Sequence, residues 1–277
     1  MSNSNLTDER PLVKVDFVHD VAFTCKDVAP DLNEIGVETG FIKLSSPGKL
    51  VRAIRSSKAD IIHANYIRTP AYAALMSLKR PYVLHAHGDD IRYGLTFLQK
   101  LCIRFDSLTF YATDDLKGII KNSIHIPQPV DTKRFFPTGK KGSGALYFVL
   151  TTSDDRLRWH EKDYIEQMQR LCTEKGIKLT LTSKVINGIP YEKMPEYVSG
   201  FQYFFDREYP KSHSKTALEC MATRIPVISF DMEKTLDCFE KAETLVDERY
   251  AQVVRDHATK SVAELLKTQY LRVLGTL

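Results

Sequence analysis

Short apolar runs alternate with amphipathic segments along most of this chain. Residues 13–18 (VKVDFV), 61–64, 82–86 and 108–111 are β-branched or apolar stretches too short for a helix, bounded by polar or turn residues, and read as buried strands. Further strands are expected at 38–44 and 124–126, and helices at 27–35, 48–57 and 71–78. The stretch 137–144 (PTGKKGSG) breaks the pattern with Gly, Pro and Lys and reads as a linker. Beyond it strands are expected at 145–151, 178–182, 201–205 and 227–230 with helices between them, and a closing helix pair at 250–267. Alternation of this kind argues for mostly parallel sheets with helices on both faces. The expected division is 1–136 and 137–277, two Rossmann-like domains, with the last helix free to return to the first.

Ligands in open α/β sheets bind beyond the carboxyl ends of the strands, so the chemistry is sought there. The sequence SKTALECMATRIPVISFD (214–231) reads as a polar loop, a helix, a turn and a strand. A loop that opens into a helix N-terminus offers unpaired N–H groups and the positive end of a dipole, which suits a phosphate. Ser214, Lys215 and Thr216 stand at that start, and Glu219 inside the helix is placed to accept from a sugar hydroxyl. At the end of the 82–86 strand comes HAHGDD, in which His85 and His87 alternate onto one face, Gly88 permits a close turn and Asp89 opens the loop. His19-Asp20 ends the first strand on the same sheet edge. Read blandly, Glu219 is a solvated helix charge and the histidines are satisfied strand ends.

In this order and spacing, DIIHANY (60–66), PYVLHAHGDDIR (81–92), SLTFYATDDL (107–116), IPQPVDTKRFFP (126–137) and TALECMATRIPVI (216–228) resemble the retaining glycosyltransferases of family 4. The resemblance spans roughly residues 12–232. It implies the GT-B architecture, with two Rossmann-like domains facing a central cleft. The implied activity moves a hexose from a UDP- or GDP-sugar to a hydroxyl acceptor (glycan, lipid or small molecule), without resident cofactor or metal. It also implies the roles. Glu219 matches a ribose-binding glutamate. Basic residues in the loop expected after the first strand of the second domain, 154–162 (DDRLRWHEK), where Arg156, Arg158 and Lys162 compete, would contact the diphosphate with Lys215. His87, with His85 as second choice, would face the donor sugar, and Asp89 would orient it or hold the acceptor. The chain departs from the family where the first glutamate of a Glu-x7-Glu pattern falls at Lys211, with Glu208 and Asp206 as substitutes. A glycine common after the Ala222 region is replaced by Thr223-Arg224.

Composition narrows the classes further. With 277 residues, 43% of them hydrophobic, the chain can bury sizeable cores. The start MSNSNLTDERP lacks a signal-peptide pattern, and cysteines at 25, 102, 172, 220 and 238 have no metal-ligand spacing, so a cytoplasmic setting with reduced thiols is expected. Net charge is only +4, with the 39 cations mixed among 35 carboxylates, which disfavours nucleic acid. The face Lys49/Arg52/Arg55/Lys58 and the pair Lys140-Lys141 are local exceptions. They have the composition of a peripheral contact with the inner face of a membrane, or of a solvated helix and linker. Two alternatives stay open. One is a metal-dependent hydrolase built on HAHGDD; the other is a degenerate domain that binds a nucleotide-sugar or glycan without turnover.

Overall fold

The computed structural model describes residues 13–20, 23–43, 46–65, 81–88, 91–92, 94–140, 142–149, 155–182, 189–207 and 211–277. The backbone alone is described at 47 and 155–160. The chain divides into two compact units, Met1–Pro129 with Thr259–Leu277, and Val130–Ala258. The division lies inside the Pro-Gln-Pro-Val-Asp segment, ahead of the linker composition at 137–144, and the closing helix belongs to the first unit.

The first unit is a fully parallel six-stranded sheet in the order β2-β1-β3-β4-β5-β6. Its strands are β1 (Val13–Val18), β2 (Val37–Ile42), β3 (Ile61–Asn65), β4 (Tyr82–Ala86), β5 (Leu108–Tyr111) and β6 (Ile124–His125). The central strands β3 and β4 are buried along their whole length, which is why they read as continuous apolar runs. Alternation splits them between two cores. Ile62, Ala64, Leu84 and Ala86 face one helix layer, where α2 (Pro47–Ser56) contributes Leu50 and Ile54, and α3 (Phe97–Phe105) contributes Cys102. Phe17, Ile61, Val83 and Phe110 face the other, formed by α1 (Thr24–Glu34) and the closing helix α9 (Thr259–Val273) through Val262, Leu266 and Tyr270.

The second unit is a parallel four-stranded sheet in the order β10-β9-β7-β8. It contains β7 (Ala145–Phe148), β8 (Leu179–Thr182), β9 (Tyr203–Phe205) and β10 (Val227–Ile228). Around it run α4 (Asp155–Lys175), α5 (Met194–Val198), α6 (Lys215–Ala222), α7 (Cys238–Thr244) and α8 (Val246–Gln252). α4 corrects the sequence reading, which took 154–162 for a loop. Glu161, Tyr164, Met168, Leu171 and Cys172 are buried at helical spacing. A dense run of charges on the opposite face hides that stripe from a scan for apolar windows. Arg156, Arg158 and Lys162 therefore stand on a helix. The closing pair is separated by a π-helical turn (Val253–His257), followed by an isolated bridge between Ala258 and Val130. The expected helix at 71–78 and Glu208 lie outside the described residues.

α6 ends without glycine. Arg224 takes a left-handed φ of 60°, its N–H donates to the Met221 carbonyl, and the Ile225 N–H donates to the Cys220 carbonyl. A side chain there costs about 1 kcal/mol relative to glycine. Arg224 offsets the cost through Asp247, 3.2 Å away, and by lying 4.5 Å from the centroid of the Tyr250 ring. The missing glycine thus changes the cap and leaves the helix end intact.

Candidate functional site

The functional candidates fall at strand carboxyl ends in each unit. In the first, β3 and β4 pair with Asn65 opposite His85, so alternation sets His63, Asn65, His85 and His87 on the α1/α9 side of the sheet. The Asn65 amide fixes the tautomer of His87. Its Nδ2 donates to Cys25 Sγ at 2.9 Å, so its Oδ1 is the acceptor for His87 Nε2 at 3.0 Å. Nε2 of His87 then carries the proton, and Nδ1 is the acceptor nitrogen. The His87 ring lies against that of His85, tilted by 33° with centroids 4.2 Å apart.

His85 itself is a core residue, only 2% exposed. Its Nδ1 lies 3.2 Å from His63 Nε2, and His63 Nδ1 lies 2.6 Å from the Tyr270 hydroxyl. One arrangement satisfies the chain of contacts: Tyr270 donates to His63, and His63 donates to His85. The remaining Nε2–H of His85 has the Ile126 backbone as polar neighbour, outside good hydrogen-bond geometry. Burial is the main reason that His63 is pushed down to about 3, and His85 falls well below its ordinary value for the same reason. The positive charge that His87 would carry opposes their protonation too. Both are neutral at physiological pH. The structure therefore places His85 behind His87, as a support for its ring, and does not bring it to an accessible position.

Gly88 follows with φ of 132°, and a Cβ there would lie 2.8 Å from Arg92 Nη2. Arg92 is pinned in turn by Asp115 at 2.7 Å, while the Gly88 carbonyl accepts from the N–H groups of Ile91 and Arg92. Only glycine fits this turn, which carries the chain past His87. Asp89 and Asp90 lie outside the described residues. At the end of β1, His19 is left-handed (φ 65°), and Asp20 Oδ1 accepts the Cys25 N–H at 2.8 Å, holding the start of α1. Burial lowers the His19 pKa, against the pull of Asp20.

In the second unit, Ser214 caps α6 by accepting the Ala217 N–H at 3.1 Å. The Ser214 N–H donates to Asp206 Oδ2 at 3.1 Å, and His213 Nδ1 lies 3.5 Å from the same oxygen. Asp206, at the end of β9, thus anchors the loop that feeds α6. Lys211 is exposed.

Glu219 is 2% exposed and accepts from the Tyr191 hydroxyl at 2.8 Å. Tyr191 is the residue that sequence reasoning passed over. Its ring packs on Phe135 and lies 5.0 Å from the Arg134 guanidinium and 5.3 Å from Lys215 Nζ. Lys215 is itself buried, as is Thr216, so the Lys215 ammonium is directed along the Tyr191 ring. Lys162 is an exposed residue of α4, 4.0 Å from Glu166 one turn on. The side chains of Arg156 and Arg158 lie outside the described residues. Arg249, also unforeseen, reaches from α8 to the β10 end. It donates to the Val227 carbonyl and to Ser229 Oγ, and its Nη2 stands 3.4 Å from Asp231. Asp231 is held below its usual pKa: burial acts to raise it, and the Ser229 hydrogen bond with the Arg249 charge outweighs that. No group of three His, Cys, Asp or Glu side chains is arranged to hold a metal among the described residues.

Residues 18–112 match the family described as glycosyl transferase 4-like domain. No curated protein matches the chain. Among solved structures, sucrose-phosphate synthase from Thermosynechococcus elongatus superposes with a TM-score of 0.66 at 11% identity, covering 96% of this chain and 100% of that one. The UDP-GlcNAc 2-epimerase of Methanocaldococcus jannaschii, in complex with UDP-GlcNAc and UDP, gives 0.54 at 10% identity over 93% and 99%. The enzyme of the same name from Rickettsia bellii gives 0.51 at 9% identity over 95% and 96%. With the parallel topology of both sheets, these likenesses give the chain a GT-B fold of two Rossmann-like units, the first of which is similar over residues 18–112 to the glycosyl transferase 4-like family.

Proposed function

We propose that this chain is a retaining glycosyltransferase that moves a hexose from a UDP- or GDP-sugar to a hydroxyl acceptor, in the cytoplasm and with no resident metal or cofactor. One observation carries the donor side: at the β9 end a Ser214-capped helix presents its N-terminus, and one turn in, Glu219 is buried and held by Tyr191. A helix N-terminus suits the diphosphate, and a fixed carboxylate suits the ribose hydroxyls. The M. jannaschii neighbour, described in complex with UDP-GlcNAc and UDP, supports a nucleotide-sugar for this fold.

In the proposed reaction the bond from the anomeric carbon to the diphosphate oxygen breaks, and its electron pair stays on the diphosphate. The acceptor oxygen forms the new bond on the same face, and its proton passes to the departing phosphate. The α6 N–H groups, with Arg156, Arg158, Lys162 and Lys215 as cationic candidates, stabilise the charge on the leaving group. His87, held in one tautomer by Asn65, polarises the donor sugar by accepting a hydrogen bond from a sugar hydroxyl at Nδ1, and Asp89 orients it or holds the acceptor hydroxyl. Incubation with labelled UDP- and GDP-hexoses and an acceptor panel tests the reading, with the anomeric configuration of the product read by NMR. Product of retained configuration is expected. An inverted product, or turnover only after zinc loading, would refute it.

A further inference from the structure

The helix layer of the first unit that contains α2 and α3 has an outer surface unlike that of a solvated helix pair. Both helices bury one side in the same core, through Leu50 and Ile54 of α2 and Cys102 of α3. On the other side α2 exposes Lys49, Arg52 and Arg55, and α3 exposes Lys100 and Arg104. Neither helix contains an acidic residue, although the chain as a whole carries 35. None of these cations has a carboxylate partner among the described residues. Phe97, 78% exposed, and Phe105, 53% exposed, stand at the two ends of α3 and flank its cations. Positions 97, 100 and 104 are spaced to fall on one helix face, so Phe97 shares it with both cations, and Phe105 lies beside it at the helix end.

Exposed phenyl rings beside cations that lack counter-charges combine the apolar and basic elements of an interfacial helix. We propose that this layer is a docking surface for an anionic lipid bilayer, with Phe97 and Phe105 entering the headgroup region while Lys49, Arg52, Arg55, Lys100 and Arg104 meet lipid phosphates. The charge complement argues for the bilayer. A polyanion such as nucleic acid would use the cations but has less use for two protruding, non-interleaved phenyl rings, and an acidic protein surface would leave them solvated. Among the described residues no helix is long and apolar enough to cross a membrane, so contact is from the surface. The inference stands apart from the donor chemistry.

Co-sedimentation of the full chain with vesicles tests it, comparing phosphatidylcholine alone with phosphatidylcholine containing phosphatidylglycerol, in low and high salt. Binding to the anionic vesicles alone, weakened by salt, is expected. The double variant Phe97→Ser/Phe105→Ser changes exposed positions, and its fold is checked by circular dichroism. It is expected to bind about tenfold more weakly while keeping the salt response. The double variant Lys49→Glu/Arg52→Glu is expected to lose binding by a similar factor or more. Equal binding to both vesicle types, no binding to either, or loss of the phenyl rings without effect would overturn the proposal. So would duplex DNA that displaces the vesicles from a surface insensitive to the phenylalanine changes.

Discussion

Replacing Glu219 by glutamine isolates the charge at the proposed donor site while keeping the shape. The side chain is 2% exposed and accepts from Tyr191 at 2.8 Å. A glutamine carbonyl accepts the same hydroxyl, so the packing and that hydrogen bond survive. What is lost is the charge on the acceptor of the ribose hydroxyls. Hydrogen bonds to charged groups contribute about 1.5–3 kcal/mol against about 0.5–1.5 for neutral ones. The expected loss is therefore about 1–1.5 kcal/mol, or roughly 5- to 13-fold in donor Kd. Calorimetric titration of donor into parent and Glu219→Gln protein reads this directly, with thermal melting as control. Tyr191→Phe is the companion variant. It releases one oxygen of Glu219 and is expected to weaken donor binding by a comparable factor. Unchanged Kd in Glu219→Gln would refute the assignment, as would weakened binding matched by an equal loss of fold stability.

Other consequences can be measured separately. His87→Ala is expected to leave donor Kd within about twofold and to lower kcat by roughly a hundredfold, the usual scale for a group acting on the transition state alone; a changed Kd with unchanged kcat would contradict this role. The first unit is expected to lose stability as pH falls from about 6.5, because the unfolded chain binds the protons that His63, held to about 3, and His85 refuse when folded. Asp106 works in the other direction. Burial raises it to about 6, so its contribution is present at low pH and lost as pH rises through that value. His85→Phe is expected to flatten the acid limb of a denaturation-midpoint profile against pH, and an unchanged limb would exclude the buried histidines as its source. Arg224→Gly is expected to fall within about 1 kcal/mol of the parent in urea unfolding, strain relief offsetting the loss of the Asp247 and Tyr250 contacts. A loss of several kcal/mol would show that the cap depends on arginine.

The strands were legible because buried parallel strands have no solvated face to interrupt them, as in 61–64 and 82–86. The polar loop opening into a helix near Ser214 was legible because helix starts are signalled locally in sequence, and in the structure Ser214 caps that helix. α4 was not, since its buried stripe of Tyr164, Met168, Leu171 and Cys172 is thinly spread among charges. His63 and Asn65 sat in plain view in DIIHAN, and strand alternation places them on one face. Their meaning depends on Tyr270, on a helix at the far end of the chain. Tyr191 had no local signature at all, because its hydroxyl meets Glu219 across 28 positions of sequence. Side chains whose roles are set by distant partners are the part a single sequence hides.

The central claim is that the second unit binds nucleotide-diphosphate sugars, and titration calorimetry of the intact chain with UDP- and GDP-sugars, in chelator and without added metal, tests it most directly. Saturable binding to one of the two nucleotide classes, weakened in Glu219→Gln, is the predicted result. Absence of binding to every donor, with tight zinc uptake at the His87 end of the first sheet or with no ligand of either kind, would contradict the account.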